Sequence, residues 1–162
     1  MCDYCDCRAI PEIGGLSDEH ERVLAVTHRL KRRLRADPGS DDGSVTGLLA
    51  ELRNLLEPHT RREEIGIFAV LAHIDCEPMC RRHFLDDHVD IERALAGDDL
   101  DRAEISALVE LVERHIFEEE TDLYPALRQL FSPADWTAVE HRLRQLATDQ
   151  PIGATRLLPS SP

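Results

Sequence analysis

The chain has 162 residues, a length that suits one domain with short tails. Aromatic residues make up only 4%, and Leu, Ala, Glu, Arg and Asp dominate, so the expected class is all-α. A net charge of -13 repels nucleic acid and anionic lipid, and no apolar run approaches the roughly 18 residues of a membrane span, so neither is an expected partner.

The polar opening MCDYCDCRAIPE does not read as a secretory leader. Cys2, Cys5, Cys7, Cys76 and Cys80 are odd in number and unevenly placed, unlike a secreted disulfide framework. Reduced thiols and a cytoplasmic location follow as expectations. The chain is expected to divide into a Cys-rich segment (1–15), a four-helix unit (16–131), a C-terminal helix (132–147) and a flexible tail (148–162).

Ser17 can cap a first helix running to about Ala36, with Asp18 and Glu19 in its first turn and an apolar stripe of Leu16, His20, Val23, Thr27, Leu30 and Leu34. The Lys31–Arg35 run suits its C-terminal dipole. A loop at 37–43 precedes a second helix, capped by Ser44, with stripe Leu48, Leu52, Leu56, His59, Glu63, Ile67 and Val70. Pro58 predicts a kink just before His59 rather than a break. A third helix is expected from Pro78 to Gly97, with stripe Phe84, His88, Ile91 and Leu95. The fourth carries Leu108, Leu111, Val112, His115, Glu119, Leu123, Leu127 and Leu130, and Ser132-Pro133 starts a short fifth. Short connections make sequential helices antiparallel neighbours, hence an up-down-up-down four-helix bundle with a short additional C-terminal helix.

Two stripes place a histidine and a glutamate four residues apart, His59 with Glu63 and His115 with Glu119, so each pair shares one helix face. Each of these helices follows one with a single stripe histidine after an acidic residue, Glu19-His20 and Asp87-His88, so the pattern occurs twice. Buried ionisable groups are costly unless paired or bound to metal, and imidazoles with carboxylates suit iron, manganese or zinc. His20 and His59 each lie about 25 Å from the first loop at 1.5 Å per residue and should sit level, whereas His88 and His115 differ by about 7 Å that loop geometry or helix tilt must absorb.

Glu19-His20, His59-x3-Glu63-Glu64 with Ile67-Phe68, Asp87-His88, and His115-x3-Glu119-Glu120 with Leu123-Tyr124-Pro125 together resemble the hemerythrin (HHE) cation-binding family over about residues 16–131. The opening Cys2-Asp3-Tyr4-Cys5-Asp6-Cys7-Arg8 is similar to that of an actinobacterial subgroup of hemerythrin-like proteins. The resemblance implies two bridged non-haem iron ions, with zinc or manganese as alternatives. It implies His20, His59, Glu63, His88, His115 and Glu119 as ligands, Glu63 and Glu119 bridging. Oxygen-carrying members have a further histidine four residues before the third-helix ligand. That position is Phe84 here, a departure that argues against reversible oxygen carriage. The vacancy favours binding or reduction of a small oxidant such as dioxygen, hydrogen peroxide or nitric oxide, with catalase-like or nitric-oxide-consuming turnover as the enzymatic form. An iron or oxygen sensor, or an iron-storage module without turnover, is the alternative.

Tyr4, Tyr124, Glu92 and Asp122 are candidates to fill the vacant position. Glu64, Glu118 and Glu120 read as a solvated face with occasional supporting contacts, not as ligands, and His28 as structural or in contact with the ligands from outside. Cys2, Cys5 and Cys7, with Cys76 and Cys80, could form a thiolate metal set, but free thiols are the simpler expectation.

Overall fold

The computed structural model describes residues 6–35, 44–74, 78–97 and 99–149, without the side chains of 78–80 and 149. The expected loop at 37–43, Tyr4, Cys2, Cys5, Cys76 and the chain beyond Asp149 lie outside the described residues, as does the side chain of Cys80.

A 3-10 turn (Cys7–Ala9) leads into α1 (Pro11–Arg35). The next rod is α2 (Val45–Arg62), which runs on through a π-helical segment (Glu63–Phe68) into α3 (Ala69–Leu71). Then come α4 (Pro78–Leu95) and α5 (Arg102–Glu118), the latter continuing through a second π segment (Glu119–Leu123) into α6 (Tyr124–Leu130). The last helix is α7 (Pro133–Asp149), and no strand occurs among the described residues. Around the square, α1 packs on α2 and α5, and α4 on α5 and α2. This is the expected all-α bundle with an additional C-terminal helix.

Local chemistry explains most ends. The Ser44 hydroxyl accepts from the Gly47 N–H, as expected of a cap. A capping box not anticipated from the sequence starts α5: the Asp101 carboxylate accepts the Glu104 N–H, and Glu104 accepts the Asp101 N–H. Two boundaries are corrected. The first helix starts at Pro11, not after Ser17, because Pro11 suits a first turn and Ile13 extends the apolar stripe backwards; Ser17 is buried inside the helix. The final helix runs through Asp149, past the expected start of the tail. Pro58 sits inside α2 without breaking it, and the departure from α geometry comes later, from Glu63.

Two apolar clusters fill the bundle. One gathers Ile13, Leu16, Ile67, Phe68, Phe84 and Leu127 at the end where α7 packs on the first π segment. The other gathers Val23, Leu52, Leu56, Ile91, Leu108 and Val112 along the remaining length. On each rod the histidine interrupts the stripe between these clusters: His20 between Leu16 and Val23, His59 between Leu56 and Ile67, His88 between Phe84 and Ile91, His115 between Val112 and Leu123. Cys7 is buried in the first cluster and disulfide-bonded, which corrects the expectation of free thiols there. Among the described residues no helix is long and apolar enough to cross a membrane.

Candidate metal centre

All six residues singled out by spacing are buried at this break in the core: His20, His59, Glu63 and His115 are 1% exposed, His88 4% and Glu119 0%. They come from all four rods, and both π segments open on a site glutamate, Glu63 and Glu119. A π turn widens the helix by one residue per hydrogen-bonded ring and recurs at functional sites.

The donor atoms fall into two groups that share both glutamates. In the first, His20 Nε2 lies 2.9 Å from His59 Nε2 and 3.1 Å from Glu119 Oε2, and His59 Nε2 lies 3.4 Å from Glu63 Oε2. In the second, His88 Nε2 lies 3.3 Å from Glu63 Oε2 and His115 Nε2 3.3 Å from Glu119 Oε1. The members of each group converge within 4.8 Å of one another. Despite these approaches, Glu63 Oε2, both Glu119 carboxylate oxygens, His88 Nε2 and His115 Nε2 make no well-formed hydrogen bond among the described residues. Buried polar atoms are rarely left this way, and a cation between them would satisfy all five together.

Outside the cluster each imidazole turns its Nδ1 to a carboxylate. The partners are Glu120 for His20 at 2.9 Å, Glu19 for His59 at 3.0 Å, Glu64 for His88 at 2.9 Å and Asp87 for His115 at 3.4 Å. The Tyr124 hydroxyl, also buried, donates to Glu63 Oε1 at 2.9 Å while its ring stacks on His20 at 5.8 Å. Burial pulls the His20 imidazole down in pKa, but the close carboxylates of Glu119 and Glu120 outweigh it and push it up to about 10. His88 is likewise pushed up to about 10, burial being overcome by Glu63 and Glu64. Burial would raise Glu63, yet the charges of His59 and His88 hold it well below the usual carboxylate range. Tyr124 is pushed far up by burial and by the charges of Glu63 and Glu119, so its proton stays in place.

A model of the hemerythrin HHE cation-binding domain matches residues 12–127, most of the chain and every residue of the cluster. The chain belongs to the hemerythrin HHE cation-binding family. Comparison with curated proteins and with solved structures finds no match.

Within this hemerythrin domain, Phe84 occupies the position where oxygen carriers have a histidine. Its ring lies 6.0 Å from that of His115 and 6.2 Å from that of Phe68, which in turn lies 5.8 Å from His88. Of the candidates to fill the vacancy, only Tyr124 reaches the cluster among the described residues, whereas Glu92 and Asp122 are exposed. His28, read as structural or supporting, is exposed, as are His73, His83 and His141. A third acidic group, His83, Asp87 and Glu118, lies nearer the surface, where the Arg114 guanidinium reaches both carboxylates. Two clefts on opposite faces approach the cluster. One of about 420 Å³ between α2 and α4 reaches His88 past Arg61 and Glu64, and one of about 200 Å³ between α1 and α5 reaches His20 past Glu120.

Proposed function

We propose that the chain is a non-haem di-iron protein that binds or reduces a small oxidant, dioxygen, hydrogen peroxide or nitric oxide, inside the bundle. The observation that carries this reading is the set of buried donor atoms aimed at one another, five of them without a well-formed hydrogen bond among the described residues. His20, His59, Glu63 and Glu119 would hold one ion, and Glu63, His88, His115 and Glu119 the other, the glutamates being common to both. When bound, two adjacent irons supply the electrons that such an oxidant takes up.

The chain's own residues prepare the place. Phe68 and Phe84 line the His88 and His115 half with apolar surface, which favours small uncharged molecules over water. The cleft at His88 gives the wider approach from solvent. Tyr124 anchors one oxygen of Glu63 and leaves the other turned to the imidazoles.

The test is metal content by mass spectrometry on protein purified from iron-supplemented cells, with near-ultraviolet and visible absorption recorded before and after peroxide. Two irons per chain and an absorption change on peroxide are expected. Replacing Glu63 and Glu119 together by Ala should abolish retention of the metal pair. Zinc or no metal, with no response to peroxide, overturns the reading. Iron bound stoichiometrically without turnover of any of the three oxidants would move the assignment to a sensor or store.

A further inference from the structure

The outer contacts of the four imidazoles form a closed pattern. Glu19, beside His20 on α1, bonds His59 on α2. Glu64, beside Glu63 in the first π segment, bonds His88 on α4. Asp87, beside His88, approaches His115 Nδ1 on α5 at 3.4 Å without a well-formed hydrogen bond, and Glu120, beside Glu119 in the second π segment, bonds His20 on α1. At Nδ1, each of the four imidazoles meets a carboxylate from a different rod. Each carboxylate is the sequence neighbour of one site residue and the partner of a site histidine on the next rod, so the chain of contacts runs once around the bundle and returns to its start.

We propose that Glu19, Glu64, Asp87 and Glu120 are positioning residues that together fix all four imidazoles with Nδ1–H outward and Nε2 inward. The assignment rests on the reading of the six inner residues as metal ligands. An imidazole whose Nδ1–H donates to a carboxylate keeps its other nitrogen as a lone pair, and the negative partner makes that nitrogen a stronger donor to a metal. The observed Nε2 positions agree, since every one lies within 3.4 Å of a Glu63 or Glu119 oxygen.

The ring is braced unevenly. Arg62 bonds Glu19 and Arg114 bonds Asp87 from the outside, and Glu120 is buried. The Glu64 side chain is 47% exposed and borders the wider cleft. Glu64 is therefore the member that can be altered with least disturbance of the fold, and Glu120 the internal comparison.

The experiment uses the full chain loaded with zinc(II), a diamagnetic probe. Competition with a chelator gives the affinity, and proton NMR gives the histidine Nδ1–H signals. Wild-type protein should bind two zinc ions and show four downfield, slowly exchanging Nδ1–H signals. Glu64→Ala should weaken zinc binding about 10- to 100-fold and lose or broaden one of the four, with helicity and the metal-free melting midpoint retained. Glu64→Gln, whose amide oxygen still accepts, should restore part of both effects, and Glu120→Gln should perturb a different signal. Two zinc ions bound with wild-type affinity in Glu64→Ala, or four undisturbed signals, would overturn the ring while leaving the ligand assignment intact. Failure of the wild-type protein to bind zinc or iron would overturn both.

Discussion

At the scale of single residues, the inner site was legible because helical period does the sorting. A histidine and a glutamate four apart must share a face, and two such pairs in apolar stripes left few other places for their charge. The outer carboxylates were not legible. Glu64 and Glu120 directly follow site residues, which on an ideal helix turns them about 100° away and makes them look like a solvated face. Only the proximity of the next rod gives them partners. Tyr124 was named as one candidate among four, and nothing in its spacing could show that it reaches across to Glu63. Its hydroxyl donates to an ionised, fully buried carboxylate, a class of bond worth about 1.5–3 kcal/mol. Tyr124→Phe keeps the ring against His20 and removes only that donor. Urea denaturation of the metal-free variant should show a stability loss of about that size. A loss below about 0.5 kcal/mol would mean that Glu63 finds another partner, and that Tyr124 is held there by packing alone.

At the scale of elements, the helices and their order followed from stripes and turn residues, but their exact course did not. No proline or glycine cluster announces a π turn, and the segments at Glu63–Phe68 and Glu119–Leu123 look in sequence like ordinary continuations of their stripes. They begin at equivalent points of the two hairpins, as the repeated motif would lead one to expect once one of them is seen. The early start of α1 was hidden for a similar reason: Ser17 resembles a cap, yet the helix has already made its first turns. Neighbouring glycines in those turns give a sharp test of how the N-terminal segment sits. A Cβ on Gly14 would lie 2.7 Å from the Arg8 carbonyl oxygen, a backbone atom that cannot turn aside, whereas one on Gly15 would meet only an Arg62 side-chain nitrogen at 3.5 Å. Gly14→Ala should therefore displace the Cys7–Ala9 turn and cost about 1–3 kcal/mol, the usual range for overpacking. Gly15→Ala should be neutral or stabilise by up to about 1 kcal/mol, the gain in helix propensity. Equal effects of the two substitutions on the denaturation midpoint would show that the close approach at Arg8 does not constrain the fold.

At the scale of the whole molecule, the cluster makes stability, metal and pH a single linked problem. The metal-free bundle holds His20 and His88 against buried carboxylates, and these contacts respond to pH with a definite sign. His20 and His88 are raised from an ordinary 6.5 to about 10, so their contribution is fully present below pH 6.5 and is lost as pH rises through about 10. Glu63, Glu19 and Glu120 are lowered from 4.5, so theirs is present above that value and lost as pH falls below it. The metal-free protein should accordingly be most stable between about pH 4.5 and 6.5 and weaken steadily toward pH 10. Metal reverses the alkaline limb. A coordinating imidazole must give up its Nε2 proton, so at pH 7 uptake of the metal pair should release roughly two protons, those of His20 and His88. Affinity must then rise with pH over the range in which the metal-free protein loses stability. At a free metal concentration one hundred times the dissociation constant the folded state gains about 2.7 kcal/mol, and this increment should be larger at pH 8.5 than at pH 6.5 for the same total metal. Parallel melting curves with and without zinc(II) at the two pH values, together with a titration in weakly buffered solution, read both effects. A gap between the curves that shrinks as pH rises, or uptake without proton release, would mean that the buried histidines are already neutral in the metal-free fold and that their contacts with carboxylates do not carry its stability.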